Sequence, residues 1–358
     1  MNTPNPSSSP KTSTVSGDAP REVPRPEGSP PLRRKSGGLG DTPGAPMRVT
    51  WAALKRSTLF YPFIGLLVVC LVMVFASDSF LSGANLENVL RQVSINAIIA
   101  VGMTCVILTG GIDLSVGSVM ALAGTLAAGS MVAGMNAAAA LALGVAVGLG
   151  FGAANGFFVA YAGMPPIIVT LATMGIARGL ALIYTGGYPI DGLPDWVSFF
   201  GSGKIVGIQA PVVIMVAIYA IAWVLLERMP FGRYVYAIGG NEQATRLSGV
   251  RVARVKLVVY TLAGLTSAFA AIVLTARLMS GQPNAGIGFE LDAIAAVVMG
   301  GTSISGGRGS IVGTLIGALL LGVLNNGLNM VGVNPYVQNV IKGGIILLAI
   351  YISRDRRK

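Results

Sequence analysis

Histidine is absent from the 358-residue chain, and charged residues make up only 11% of it. Soluble domains carry about 25% charge, so a freely soluble fold is excluded, and imidazole catalysis and imidazole metal ligation go with it. The two cysteines, Cys70 and Cys105, both lie in apolar runs. Neither a disulfide framework nor a Cys/His zinc site is available, and no metal site is expected; the two thiols read as small buried side chains. No G-x-x-x-x-G-K-[ST] phosphate loop occurs, so the chain has no nucleotide site of that kind. The run of buried Asp, Glu and His that a proton relay uses is also missing.

Apolar residues and glycine fill the space: 53% of the chain is hydrophobic, mean hydropathy is +0.72, and there are 49 glycines. From Leu59 onward the sequence breaks into segments near the length of about 20 residues that a helix needs to cross a bilayer. They fall at about 59–77, 92–110, 114–134, 137–161, 165–185, 211–228, 257–279, 289–302, 310–331 and 337–353. The expected fold is an all-α polytopic membrane protein of about ten transmembrane helices, with broken or re-entrant segments.

Residues 1–56 differ in kind, holding ten of the 19 prolines and no apolar run that offsets the entropy of ordering. They read as a disordered, basic cytoplasmic tail, too long and too polar for a cleaved signal peptide. Met47, opening "MRVTWAALKRS", is a candidate true start. The membrane domain then runs over 57–353, with a cytoplasmic loop at 228–256 and a basic cytoplasmic C-terminus at 354–358.

Of the 25 Lys and Arg residues, nine lie in 1–56, six in 228–256 and four in 354–358. Basic loops stay cytoplasmic, and an even number of expected crossings separates each pair of clusters, so both termini are expected inside. The net charge of +11 therefore reports membrane orientation and anionic lipid headgroups rather than nucleic acid.

Lipid gives two apolar helices no hydrophobic reward for meeting, so helices in a bilayer join through small residues. Gly144, Gly148, Gly152 and Gly156 form one row at one-turn spacing, and Gly309, Gly313 and Gly317 another. Both are expected to serve packing. "GGIDLSVG" at 110–117 is echoed by "GGTSISGG" at 300–307, at a constant offset of 190. Paired Gly-interrupted segments in two halves of a chain are the mark of broken helices. Asp113, Ser115, Ser303 and Ser305 are the polar members of this echo. Asp113 has two readings: a helix cap at the membrane interface, where a carboxylate is cheap, or in addition a gate held by a partner on a neighbouring helix. In the loop, Asn241 is a good N-cap, Glu242 sits in a first turn and Gly249 is a natural stop, which predicts one short helix outside the membrane.

The chain from about 57 to 353 resembles the membrane-spanning permease of bacterial ribose-type ABC importers, with a fold of the type II-like importer class. The residues that carry the resemblance are "TGGIDLSVGS" at 109–118, "PPIIVTLATMGIARGLALIYTGG" at 165–187, "FGRYVYAIGGNEQATRLSGVRV" at 231–252 and "AAVVMGGTSISGGRGSIVGTLIGALLLGVLNNGLN" at 295–329. Ile167 departs from the family, which usually has Phe after the two prolines. The resemblance implies that 239–252 is a coupling helix resting on a cytoplasmic ATP-binding subunit, through Gly239, Asn241, Glu242, Ala244, Arg246, Ser248 and Gly249. It further implies a second permease copy, an extracytoplasmic sugar-binding protein, a bacterial inner-membrane location, and ATP and Mg held by the partner ATPase, with no cofactor on this chain.

A neutral sugar needs amide and hydroxyl partners rather than charges. Asn96, Asn325 and Asn329 are the candidates for its path, while most other polar residues in the apolar runs are expected to bond neighbouring helices. A gradient-driven secondary sugar transporter is the alternative reading. A membrane enzyme fares worse, because only Asp113, Glu290 and Asp292 stand out as buried or interfacial acids.

Overall fold

Ten apolar helices order residues 59–355, the part of the chain that the computed structural model describes. They are α1 (Phe60–Ala76), α2 (Gly83–Leu108), α3 (Val116–Val132), α4 (Ala137–Ala160), α5 (Pro166–Thr185), α6 (Ala210–Trp223, continued by a π turn over Val224–Arg228), α9 (Val252–Leu278), α10 (Phe289–Met299), α11 (Ile311–Met330) and α12 (Pro335–Asp355). Two shorter helices, α7 (Pro230–Gly240) and α8 (Glu242–Leu247), lie between α6 and α9. Six of the helices are long and apolar enough to cross a membrane, and α1 and α3 are apolar at 17 residues each.

Local chemistry fixes the helix ends. The Ser82 hydroxyl accepts the Asn85 N–H at 3.3 Å, and Asn136 Oδ1 accepts that of Ala138 at 3.0 Å. Proline occupies the first position of α5, where its missing N–H costs nothing, and Gly186 stops that helix at φ 62°.

Burial separates centre from rim. In the apolar windows of α2, α11 and α9, 78%, 67% and 56% of residues are buried, against 22%, 28% and 33% in α4, α5 and α6. Small residues bring the backbones together, as the sequence implies. A Cβ at Gly148 would collide with the Gly264 carbonyl oxygen, one at Gly152 would stand 2.5 Å from that of Tyr260, and one at Gly156 would stand 2.8 Å from Leu257 Cα. Gly313 and Gly317 meet Gly300 and Ala296 in the same way. Polar pairs tie α2 to α11 near both ends: Thr104 and Thr314 hydroxyls lie 2.8 Å apart, and the Asn85 and Asn326 amides exchange bonds of 3.1 and 2.9 Å.

The connections gather at two ends. At one, Ile190 pairs with Gly281, and the hairpin Lys204–Ile205/Ile208–Gln209 is held to α2 by Glu87, which accepts from Lys204 at 3.0 Å and Gln209 at 2.9 Å. At the other end sit α7, α8 and the loops after α2 and α10.

The structure differs from the sequence reading at four places. Helix α2 begins at Gly83 rather than near 92, because Ser82 caps a polar first turn that hydropathy alone passes over. Helix α10 ends at Met299 with only 11 residues, and residues 279–288 before it are irregular. The 228–256 loop holds two helices, since Pro230 at the first position starts α7. Asp113, expected where a carboxylate is cheap, is buried within the protein, with 1% of its surface exposed. The expectations for residues 1–56, including a start at Met47, fall outside the described residues, as do residues 356–358 of the basic C-terminus.

Candidate functional site

Helix α8 is a six-residue helix built to stand out from the protein. Asn241 leaves helical geometry at φ −159°, donates its N–H to Ala237 O at 3.0 Å, and accepts the Ala244 N–H on its side chain at 2.9 Å. Gly249, at φ 86°, turns the chain away after α8, and its N–H closes on Arg246 O at 3.0 Å. The side chain of Glu242 folds back to α9, accepting from Lys256 Nζ at 2.6 Å, and also takes Arg246 Nη2 at 3.1 Å. Partial burial alone would raise the Glu242 pKa, but the Lys256 hydrogen bond and the two positive charges outweigh it and hold the carboxyl below its usual range.

Most of the residues expected to meet a partner are on the surface: Asn241, Ala244, Arg246, Ser248 and Gly249 are exposed and Glu242 is half-buried. Gly239 instead faces inward. The sequence reading passed over Leu247, which is 90% exposed at the tip of α8. Its signal was an apolar residue between Arg246 and Ser248 on a helix too short to bury it.

Behind α8, three Gly-Gly pairs converge. A Cβ at Gly239 would collide with Leu108 O and Gly307 N, and one at Gly306 would stand 2.8 Å from Gly110 N and 3.0 Å from Gly239 Cα. The Gly307 N–H donates to Leu108 O at 2.9 Å, and Tyr236 Oη to Gly309 O at 3.2 Å. Gly110, Gly306 and Gly307 take φ of 80°, 81° and 72°, a region that side chains disfavour. The two echoed loops, 110–117 and 300–307, therefore touch each other and the end of α7. Ser303 shapes the second loop through its backbone, its N–H donating to Arg308 O at 2.8 Å and its carbonyl accepting from Gly306 N at 2.9 Å, while the Ser305 carbonyl oxygen lies 3.7 Å from where a Gly110 Cβ would be.

Further in, just ahead of α3, Asp113 Oδ1 accepts the Ser115 N–H at 2.8 Å and its hydroxyl at 2.6 Å. Asn155 of α4 donates to Ser115 Oγ at 2.9 Å, and Thr170 of α5 to Ile112 O at 3.3 Å. Tyr260 of α9 packs its hydroxyl against Gly111, where it has no hydrogen-bond partner among the described residues. The loop after α2 is thus pinned by three helices.

The path candidates stand apart from this cluster. Asn96 on α2 is half-buried and Asn325 on α11 is buried, each with an Oδ1 that lacks a partner among the described residues, while Asn329 is exposed and accepts from Gln338 at 2.8 Å.

Residues 85–350 match the family described as the permease component of branched-chain amino acid transport systems. The chain belongs to this permease family. Over 297 residues the permease is 54% identical to the ribose import permease protein RbsC of Bacillus subtilis, covering 82% of this chain and 92% of the relative. It is 49% identical to the Escherichia coli K12 protein of the same name, over 82% and 93% of the two chains. The D-allose transport system permease protein AlsC of the same bacterium is 40% identical, over 82% and 90%. No solved structure matches the permease.

Proposed function

We propose that this permease is the membrane-spanning subunit of an ABC importer that brings a monosaccharide, ribose or a related sugar, across the bacterial inner membrane. The observation that carries the reading is the α8 tip. Leu247 and Arg246 are exposed on a capped helix whose supporting strut, α7, is wedged by Gly239 between both echoed loops. Pressure on such a tip moves two helix breaks at once. The likeness to ribose import permeases supports the sugar.

The permease is a transport component and does no chemistry of its own. A cytoplasmic ATP-binding subunit, with its ATP and Mg, pushes α8, and an extracytoplasmic binding protein delivers the sugar to the opposite end. Two permease copies, each with one coupling helix, enclose the path. The cationic 228–256 loop lies at the α8 end, so that end is cytoplasmic. Asp113 and Ser115, pinned between helices, form the inner gate with the Ser303–Ser305 turn.

Reconstituted vesicles test the reading. Sugar entry requires the permease, an ATPase subunit and a binding protein together, and stops with a non-hydrolysable ATP analogue. Uptake by the permease alone, driven by a proton or sodium gradient, makes it a secondary transporter instead.

A further inference from the structure

Residues 279–288, between α9 and α10, do not cap the bundle; they descend into it. Gly281 lies against Thr125 and Ala128 of α3, whereas Gly286 lies against Gly117 and Met120 of the same helix. Counted from the outer end of α3 at Val132, these positions lie about 10 and 22 Å down at 1.5 Å per residue. The segment is irregular throughout, a run of turns without helix or strand. Non-helical backbone at that depth is tolerated only inside protein or along a water-filled cavity, because lipid satisfies none of its polar groups.

Among the described residues, nothing covers one flank of this segment. Asn284 is exposed in its middle, and Gly175 and Gly179 on α5 have no neighbour within 4 Å of the space a Cβ would occupy. Two charges sit at the same depth. Arg178, between those glycines, donates to the carbonyls of Pro283 and, at 2.8 Å, Ala285. Glu290 accepts the Gly288 N–H at 3.2 Å, and its carboxylate lies 2.8 Å from where a Gly117 Cβ would be. Charged groups within a bilayer face the protein interior or water rather than acyl chains. The other side of α5 is a clear contrast. There Gly150, Phe151, Ile176, Leu180 and Ile183 line an apolar groove with Leu122 and Leu126, a surface suited to lipid.

We infer that the sugar passes along the re-entrant segment 281–290 and the Gly175–Gly179 face of α5, with Asn284, Arg178 and Glu290 as its polar lining. The sequence points to amides and hydroxyls rather than charges, but guanidinium and carboxylate beside an amide also offer alternating donors and acceptors to a neutral polyhydroxyl ligand. Arg178 also holds the segment in place through its two carbonyl contacts. The inference rests on the sugar-import reading, and it places the path away from the asparagines of α2 and α11.

Two measurements test it. The first reads water, not sugar: with Cys70 and Cys105 replaced by Ala, Asn284→Cys and Gly175→Cys in the full-length permease react with a charged, lipid-insoluble thiol reagent at least tenfold faster than Gly150→Cys. Equal rates overturn the inference, and disulfide cross-linking of Asn284→Cys between copies without labelling shows a protein contact and overturns it too. The second uses the assembled transporter: Gly175→Leu and Asn284→Leu lower ribose uptake at least tenfold while binding-protein-stimulated ATPase activity persists, and Gly150→Leu stays within twofold of wild type. Wild-type vesicles that take up no ribose strike at the functional reading, whereas normal uptake by both path variants strikes at the inference alone.

Discussion

The amide of Gly307 donates to the carbonyl of Leu108 at 2.9 Å, joining two loops whose first glycines stand 190 residues apart in the chain. Leu108 is the last residue of α2, where carbonyls lack helical partners. The second loop therefore supplies the C-terminal cap of a helix in the other half of the protein. Gly239 fills the remaining side of the junction with no side chain at all. Motion of α7 cannot leave either loop undisturbed, because no side chain is present to yield.

Gly239→Ala tests this junction. The added methyl collides with the Leu108 carbonyl and the Gly307 amide, both backbone groups that a rotamer change cannot move aside. Overpacking of this kind costs about 1–3 kcal/mol. The expected outcome is a lower melting temperature in detergent and loss of ATP-driven uptake. Gly240→Ala, at a glycine with nothing within 4 Å, is the matched control and keeps both.

Leu247→Asp and Arg246→Glu act at the exposed tip, where Leu247 is 90% exposed and Arg246 makes a single exposed ion pair with Glu242. Surface changes of this kind alter stability by about 0.5 kcal/mol or less. Both variants insert and melt as wild type does, but stimulation of the partner ATPase falls at least tenfold. Unchanged stimulation in both removes the coupling role from α8.

Much of this architecture is legible in the sequence, for physical reasons that also mark the limits. Hydropathy locates the crossings because lipid contact demands about 20 apolar residues, and the glycine rows declare close packing because nothing else lets backbones meet. The short helix α8 shows in Asn241 and Gly249, since caps are local. Helix α7 does not show: its sequence, PFGRYVYAIGG, holds three glycines, and its stability comes from packing Val235 and Ile238 into the core. Residues 279–288 escape for the same reason. Their depth is set by contacts with Gly117 and Thr125, and distance along the chain carries no trace of it.

The clamp between Glu242 and Lys256 gives a pH dependence of known sign. Glu242 has a folded pKa below its ordinary value of about 4.3. Its contribution is present at pH values above the unfolded pKa and disappears as pH falls through the lower, folded one. Amide hydrogen exchange in α8, corrected for its intrinsic pH dependence, is expected to show constant protection from pH 8 to pH 5. Protection then falls in more acidic buffer. Glu242→Gln removes that acid step, and because the pair is partly exposed its effect on overall stability stays below about 1 kcal/mol.

The Asp113 cluster predicts an asymmetry between two hydroxyls. Tyr260 Oη is buried without a hydrogen-bond partner among the described residues, so Tyr260→Phe removes a desolvated group that gains nothing in the folded state. Its melting temperature matches or slightly exceeds that of wild type. Ser115 Oγ, by contrast, both donates to Asp113 and accepts from Asn155. Ser115→Ala leaves Asp113 Oδ1 with the backbone N–H alone and strands an Asn155 amide N–H inside the protein, a loss of about 1–3 kcal/mol. A lowered melting temperature for Ser115→Ala beside a neutral Tyr260→Phe supports the network as drawn. The reverse order means that the Tyr260 hydroxyl, rather than Ser115, is what holds Asp113.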